Sequence, residues 1–185
     1  MYGTAVHLAA EEYVKDGKPL PPQFAFMQSQ LDYLTQIPGE KLCEYEMGLR
    51  VDLTPCGFND HDYFFRGIAD LIILDREKRR AFIVDYKTGK SSRYADTGQL
   101  DLMALAVFKH FPEVDTIRAG LLFCVANDFI KRYYSRTDCS DLPERFKDAL
   151  FRLEASMKNG VFNAKTSGLC RNFCPVLQCT HNGKR

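Results

Sequence analysis

Asp85 and Lys87 stand two residues apart in the stretch Phe82-Ile83-Val84-Asp85-Tyr86-Lys87-Thr88-Gly89, directly behind an apolar run that reads as a buried strand. Side chains alternate along a strand, so the carboxylate of Asp85 and the ammonium of Lys87 share a face while Tyr86 points to the other. A surface salt bridge is the ordinary explanation of such a pair. Upstream, Gly67-Ile68-Ala69-Asp70-Leu71-Ile72-Ile73-Leu74 is a second apolar strand with a single acid near its start. The charged segment Asp75-Arg76-Glu77-Lys78-Arg79-Arg80 is short enough to join the two strands as a hairpin, which puts Asp70 and Asp85 on neighbouring strands. Two carboxylates held together repel unless something neutralises them. A divalent cation such as Mg²⁺ does so through oxygen ligands, and beside a phosphodiester it can activate water and stabilise the leaving oxygen. Lys87 would position or deprotonate the attacking water and offset transition-state charge.

The order Asp70, then Asp85-Tyr86-Lys87, resembles the PD-(D/E)XK nuclease superfamily, and the extended Asp85-Tyr86-Lys87-Thr88-Gly89 form resembles its RecB-like, Cas4-like exonuclease branch. Gly3-Thr4-Ala5-Val6-His7 looks like the branch's first motif, in which a helix-borne histidine joins the metal site. Gln99-Leu100, opening a helix after the Lys87 strand, resembles the later glutamine motif, whose side chain contacts DNA or the lysine region. The family's tyrosine four residues after that glutamine is Met103 here, and Glu46 stands where the family often shows a glutamate. The resemblance implies a restriction-endonuclease-like α/β fold, with a central mixed sheet flanked by helices. It further implies a Mg²⁺- or Mn²⁺-dependent deoxyribonuclease, an exonuclease acting on ends or single strands of DNA, with one or two metal ions. Metal ligands would be His7, Asp70, Asp85 and the Tyr86 backbone carbonyl, with Asp70, Asp85 and Lys87 carrying the chemistry and Gln99, Lys90 and Arg93 touching DNA. By the same resemblance the chain would work in the cytoplasm of a bacterium or an infected host, beside replication, recombination or CRISPR-adaptation proteins, as a phage-encoded member. The alternative is a catalytically inactive DNA-binding or assembly module that keeps the nuclease fold. The intact charged set His7, Asp70, Asp85 and Lys87 speaks against it, because a module freed from catalysis has no need of such a cluster.

A second concentration of chemistry closes the chain: Cys170-x3-Cys174-Pro175-x3-Cys179-x-His181. Three thiols and an imidazole at this spacing can wrap a soft metal, and a Cys3His zinc site is self-sufficient. In RecB-like relatives a similarly placed cysteine triplet joins a cysteine upstream of the histidine motif to hold a 4Fe-4S cluster. No cysteine precedes His7 here, so a cluster would need Cys43, Cys56 or another thiol to come across, or a natural N-terminus that extends further and supplies one. Seven cysteines, an odd number, without a signal peptide fit a reducing compartment better than a disulfide framework. The tail is expected to act as a staple that ties the C-terminus back to the helix bearing His7.

The elements that must place these groups follow from periodicity and breakers. At 185 residues, 45% apolar and 26% charged, the chain reads as one globular domain rather than a disordered or membrane segment. It would comprise N-terminal helices (1–40), a catalytic α/β core (41–160) and a Cys-rich tail (161–185). Helices are predicted over Gly3–Lys15 and Gln23–Gln36, the first stopped by Gly17-Lys18-Pro19-Leu20-Pro21-Pro22 and the second by Pro38-Gly39. Strands are predicted over Cys43–Leu53, Tyr63–Leu74, Ala81–Tyr86, Ile117–Val125 and Phe129–Arg136. Between them Leu100, Met103, Ala104, Val107, Phe108 and Phe111 recur at helical spacing over Thr97–Phe111, and a last helix covers Leu142–Asn159. The net charge of +1 says little about a nucleic-acid partner, which needs a local basic track; Lys90, Arg93, Lys131, Arg132 and Arg136 are its candidates. Tyr94, Phe129, Tyr133 and Tyr134, interleaved with those cations, could stack on unpaired bases.

Overall fold

The computed structural model describes residues 2–184, the side chain of Asp138 aside. Two compact units divide the chain, one ending at Arg145 and the other beginning at Phe146. The first is built on a six-stranded sheet of order β2-β1-β3-β4-β5-β6, formed by β1 (Glu40–Leu49), β2 (Pro55–Cys56), β3 (Phe65–Asp75), β4 (Arg80–Lys87), β5 (Thr116–Phe123) and β6 (Asp128–Ser135). Every neighbouring pair is antiparallel except β4 and β5, which run parallel. A parallel pair needs a crossover, and α3 (Gly98–His110) supplies it. The sheet is therefore mixed, with α1 (Tyr2–Asp16) and α2 (Gln28–Gln36) contributing to one core and α3 to another. This is the expected restriction-endonuclease-like α/β arrangement.

Alternation along β4 decides which residues enter each core. Ala81 and Ile83 join the α3 side, where Phe108, Leu100 and Ala104 pack, whereas Val84 and Tyr86 join the α1–α2 side with Val6, Ala10, Leu31 and Leu34. Phe108 is 1% exposed at the centre of the α3 side. Its truncation to alanine is expected to cost about 3–5 kcal/mol, read as a lower urea midpoint at an unchanged slope.

Several boundaries differ from expectation for local reasons. β1 starts earlier and ends earlier than Cys43–Leu53, because the Asp52 side chain accepts the Thr54 N–H (3.0 Å) and Leu53 takes a φ of 64°, turning the chain after Arg50. A 3-10 helix over Pro22–Met27 precedes α2, so the predicted Gln23–Gln36 helix is α-helical only in its second part. Similarly, a 3-10 turn over Pro143–Phe146 stands before α4 (Lys147–Asn159), which is shorter than Leu142–Asn159.

The second unit holds α4, the short α5 (Gly168–Asn172) and the cysteine-bearing tail. Ser167 caps α5 through the Leu169 N–H. Asn182, buried although polar, donates to the carbonyls of Cys174 (3.1 Å) and Val176 (2.9 Å), and Gly183 donates to Cys170 O (3.1 Å), closing this tail on itself. A side chain at Gly183 would run into Arg171 Cα at 2.8 Å, so this close approach requires glycine. Among the described residues, no helix is long and apolar enough to cross a membrane.

Candidate metal centre and basic partner

The ladder between β3 and β4 ends at Leu71 and Val84. Beyond that point a side chain takes over as acceptor: Asp70 Oδ2 receives the Tyr86 backbone N–H at 2.6 Å. The other oxygen, Oδ1, lies 3.3 Å from His7 Nδ1 on α1. Tyr86, buried against α1, presents its ring edge-on to His7 with centroids 6.0 Å apart. One carboxylate thus links α1, β3 and β4 at a single point.

Glu44 is the third member of this group and was not legible in the sequence. It stands in β1 with φ 47°, opposite Asp70 in the register set by Cys43–Leu71 and Tyr45–Ala69. At this level both strands change faces. Cys43 and Leu71 pack on the α1–α2 side, whereas Tyr45 and Ala69, two residues away, pack on the α3 side. That break in alternation brings ligand atoms of His7, Glu44 and Asp70 to within 4.8 Å of one another. Glu46, singled out by position in the sequence, pairs instead with Ile68 further along the ladder and is not a member of the group.

On the other side of Tyr86, Asp85 and Lys87 share a face as strand alternation requires, with Lys87 Nζ 2.7 Å from Asp85 Oδ2. Although close, this ion pair falls outside hydrogen-bond angles, leaving the buried Asp85 Oδ2 without a directional donor. Lys87 Nζ also donates to Gln99 Oε1 at 3.2 Å, so the glutamine opening α3 reaches the lysine region. Met103, one turn along α3, lays its thioether over Gly67, where an added Cβ would lie 2.9 Å from Met103 Cε. It is a packing residue against β3.

The electrostatics describe a cluster short of positive charge. The Asp70 hydrogen bond raises the His7 pKa, against the opposing effect of burial. Burial raises that of Asp85, with Asp70 adding to it and Lys87 opposing, and burial with the nearby Asp70 raises that of Glu44. Crowded carboxylates beside an imidazole form an oxygen and nitrogen donor set, which fits a divalent cation. His7, Glu44 and Asp70 could hold such an ion, with Asp85 adjoining.

Other candidates from the sequence divide. Arg136 spends its guanidinium on the carbonyls of Phe108 (3.2 Å), Phe111 (2.9 Å) and Val114 (2.8 Å), at and just past the end of α3, and so is withdrawn from the basic track. Tyr134 is buried with its hydroxyl donated to Asp101 (2.7 Å), which removes it as a stacking surface. Arg132 donates to Thr97 Oγ1 (3.0 Å), and Arg93 stacks on the exposed Tyr94 ring. Lys90 is exposed in the segment between β4 and α3.

All seven cysteines are free. The groups of ligating atoms that converge among the described residues are His7–Glu44–Asp70 and Cys56–Asp60–Asp62; Cys170, Cys174, Cys179 and His181 are not gathered in this way. Burial pushes the thiols of Cys43 and Cys124 up to about 11, which disfavours the thiolate a metal would need.

The family model of the PD-(D/E)XK nuclease superfamily matches residues 1–179. No curated protein sequence matches the chain significantly. Among solved structures, the crystal structure of SSO0001 aligns over 94% of this chain and 96% of its own, at 12% identity and a TM-score of 0.36. With its family's model matched from the His7 helix to Cys179, the chain belongs to the PD-(D/E)XK nuclease superfamily.

Proposed function

We propose that the protein is a Mg²⁺- or Mn²⁺-dependent deoxyribonuclease of the RecB-like, Cas4-like branch, acting as an exonuclease on ends or single strands. The observation that carries this reading is the convergence of His7, Glu44 and Asp70 beside the Asp85–Lys87 pair. A divalent cation held there would activate water for in-line attack on the phosphodiester and stabilise the leaving oxygen.

The chain's own residues do the rest. Asp70 fixes the His7 imidazole through one oxygen and the β4 backbone through the other. Asp85 completes the acidic set, and the Tyr86 carbonyl is proposed as a further ligand. Lys87, held between Asp85 and Gln99, orients or deprotonates the attacking water and offsets charge accumulating on the phosphate. Gln99, Lys90 and Arg93 are the proposed DNA contacts near this site. The tail thiols Cys170, Cys174 and Cys179, soft donors followed in sequence by His181, are the proposed ligands of a zinc ion or a 4Fe-4S cluster. The proposed setting is the cytoplasm of a bacterium or of a cell infected by a phage that encodes the protein.

An exonuclease requires an end. Incubated with Mg²⁺ or Mn²⁺, the protein is expected to degrade end-labelled linear DNA and leave a covalently closed circle of the same sequence intact. Equal loss of both substrates would make it an endonuclease.

A further inference from the structure

The α1–α2 side of the sheet is not covered as far as β6. There Phe82 on β4, Arg118 on β5 and Tyr133 on β6 form one cross-strand row. The Arg118 guanidinium lies 5.8 Å from the Phe82 ring centroid and 5.9 Å from that of Tyr133, within the range of cation–π attraction. In the next two rows Lys131 sits beside Gly120 and Phe129 beside Leu122, with Lys131 Nζ 5.3 Å from the Phe129 centroid. A side chain at Gly120 would collide with the Phe129 ring, which rests directly on that glycine. Tyr33 of α2 forms the opposite wall.

These side chains line a groove of about 180 Å³, and no carboxylate lines it. A cavity of about 150 Å³ accepts a benzene ring, so this one admits a planar ring of comparable size. Two of the aromatics are left in water, Tyr33 at 66% and Tyr133 at 68% exposure. Both cations are engaged by rings alone: among the described residues, the Arg118 guanidinium and the Lys131 ammonium have neither a hydrogen bond nor an ion pair, so their charge is unneutralised. Exposed rings, unpaired cations and the absence of acid together match a polyanion whose bases are free to stack. A duplex hides its base faces; a single strand presents them.

We infer that this groove is an accessory binding site for single-stranded nucleic acid, separate from the His7–Asp70 centre, in which bases stack on Tyr133 and Tyr33 while Arg118 and Lys131 meet the phosphates. It rests on the nuclease reading only for the identity of the substrate. Along β4 the Phe82 row lies four residues from the Tyr86 row, about 13 Å at strand spacing. Asp85 and Lys87 lie on the other face of β4, so the groove would hold a strand without taking part in cutting.

The test is fluorescence anisotropy of a labelled oligothymidylate in EDTA, so that binding is read without chemistry. Tyr133→Ala and Arg118→Ala, both exposed positions, are expected to weaken single-strand binding about ten-fold or more. They should leave blunt duplex binding within two-fold and thermal stability unchanged. The inference is overturned if either groove variant binds the single strand as well as wild type, or if duplex binding falls in parallel. It is also overturned if Tyr133→Ala changes sedimentation instead, which would make the groove a contact between copies of this chain. Because no step depends on metal or cleavage, an inactive wild-type enzyme would count against the nuclease reading and leave this result standing on its own.

Discussion

Alanine at Asp70 is expected to abolish detectable cleavage, a loss of about 10³-fold or more, and to weaken Mn²⁺ binding measured by calorimetry in the same protein. The reason is its double duty. One oxygen stands 3.3 Å from His7 Nδ1 and the other accepts the Tyr86 N–H, so its removal takes a ligand from the cluster and frees the imidazole beside it. It also leaves the Tyr86 N–H without its acceptor next to a buried ring, which should cost about 1–3 kcal/mol in urea denaturation. Asp70→Asn separates the two effects. An amide oxygen can still accept the Tyr86 N–H, so stability should return toward wild type while metal affinity and cleavage stay low. Recovery of cleavage by Asp70→Asn would show that Asp70 serves the fold and not the metal.

Alanine at Lys87 should divide binding from chemistry. Its ammonium faces Asp85 and Gln99 and is not one of the metal-binding donors, so Mn²⁺ should still bind. Cleavage should nevertheless fall by about 10² to 10⁴-fold, the usual contribution of a positioned acid–base group, with the loss in kcat rather than KM. If Lys87→Ala cleaves at the wild-type rate, the pair with Asp85 is a plain salt bridge, the ordinary explanation its sequence allowed from the start.

Most of this site was legible because it obeys local rules. Period-two alternation alone puts Asp85 and Lys87 on one face and sends Tyr86 to the other, and the structure does the same. Helical spacing placed α3, and the resemblance to the family's glutamine motif implied that Gln99 at its start meets the lysine region, where it accepts from Lys87. What was hidden depends on departures from those rules. Glu44 reaches Asp70 because its backbone adopts a left-handed conformation where β1 and β3 both change faces, and no residue type in Cys43-Glu44-Tyr45-Glu46 announces that turn. Arg136 looked like part of a basic track because its acceptors, the carbonyls of Phe108, Phe111 and Val114, are backbone groups distant in sequence. The groove on β5 and β6 was half visible: the aromatics and cations could be seen to interleave, but pairing of Arg118 with both Phe82 and Tyr133 exists only once the strands are in register.

If the Asp70–Asp85 cluster makes this chain cut DNA with a divalent metal, removing either a carboxylate or the metal must stop cleavage. The most direct measurement is the rate of release of end label from linear DNA by wild type and by Asp85→Ala, each with Mn²⁺ and with EDTA. Cleavage by wild type with Mn²⁺ alone, and by neither protein otherwise, is the predicted result. Equal rates for wild type and Asp85→Ala in Mn²⁺, or wild-type cleavage that persists in EDTA, would contradict it.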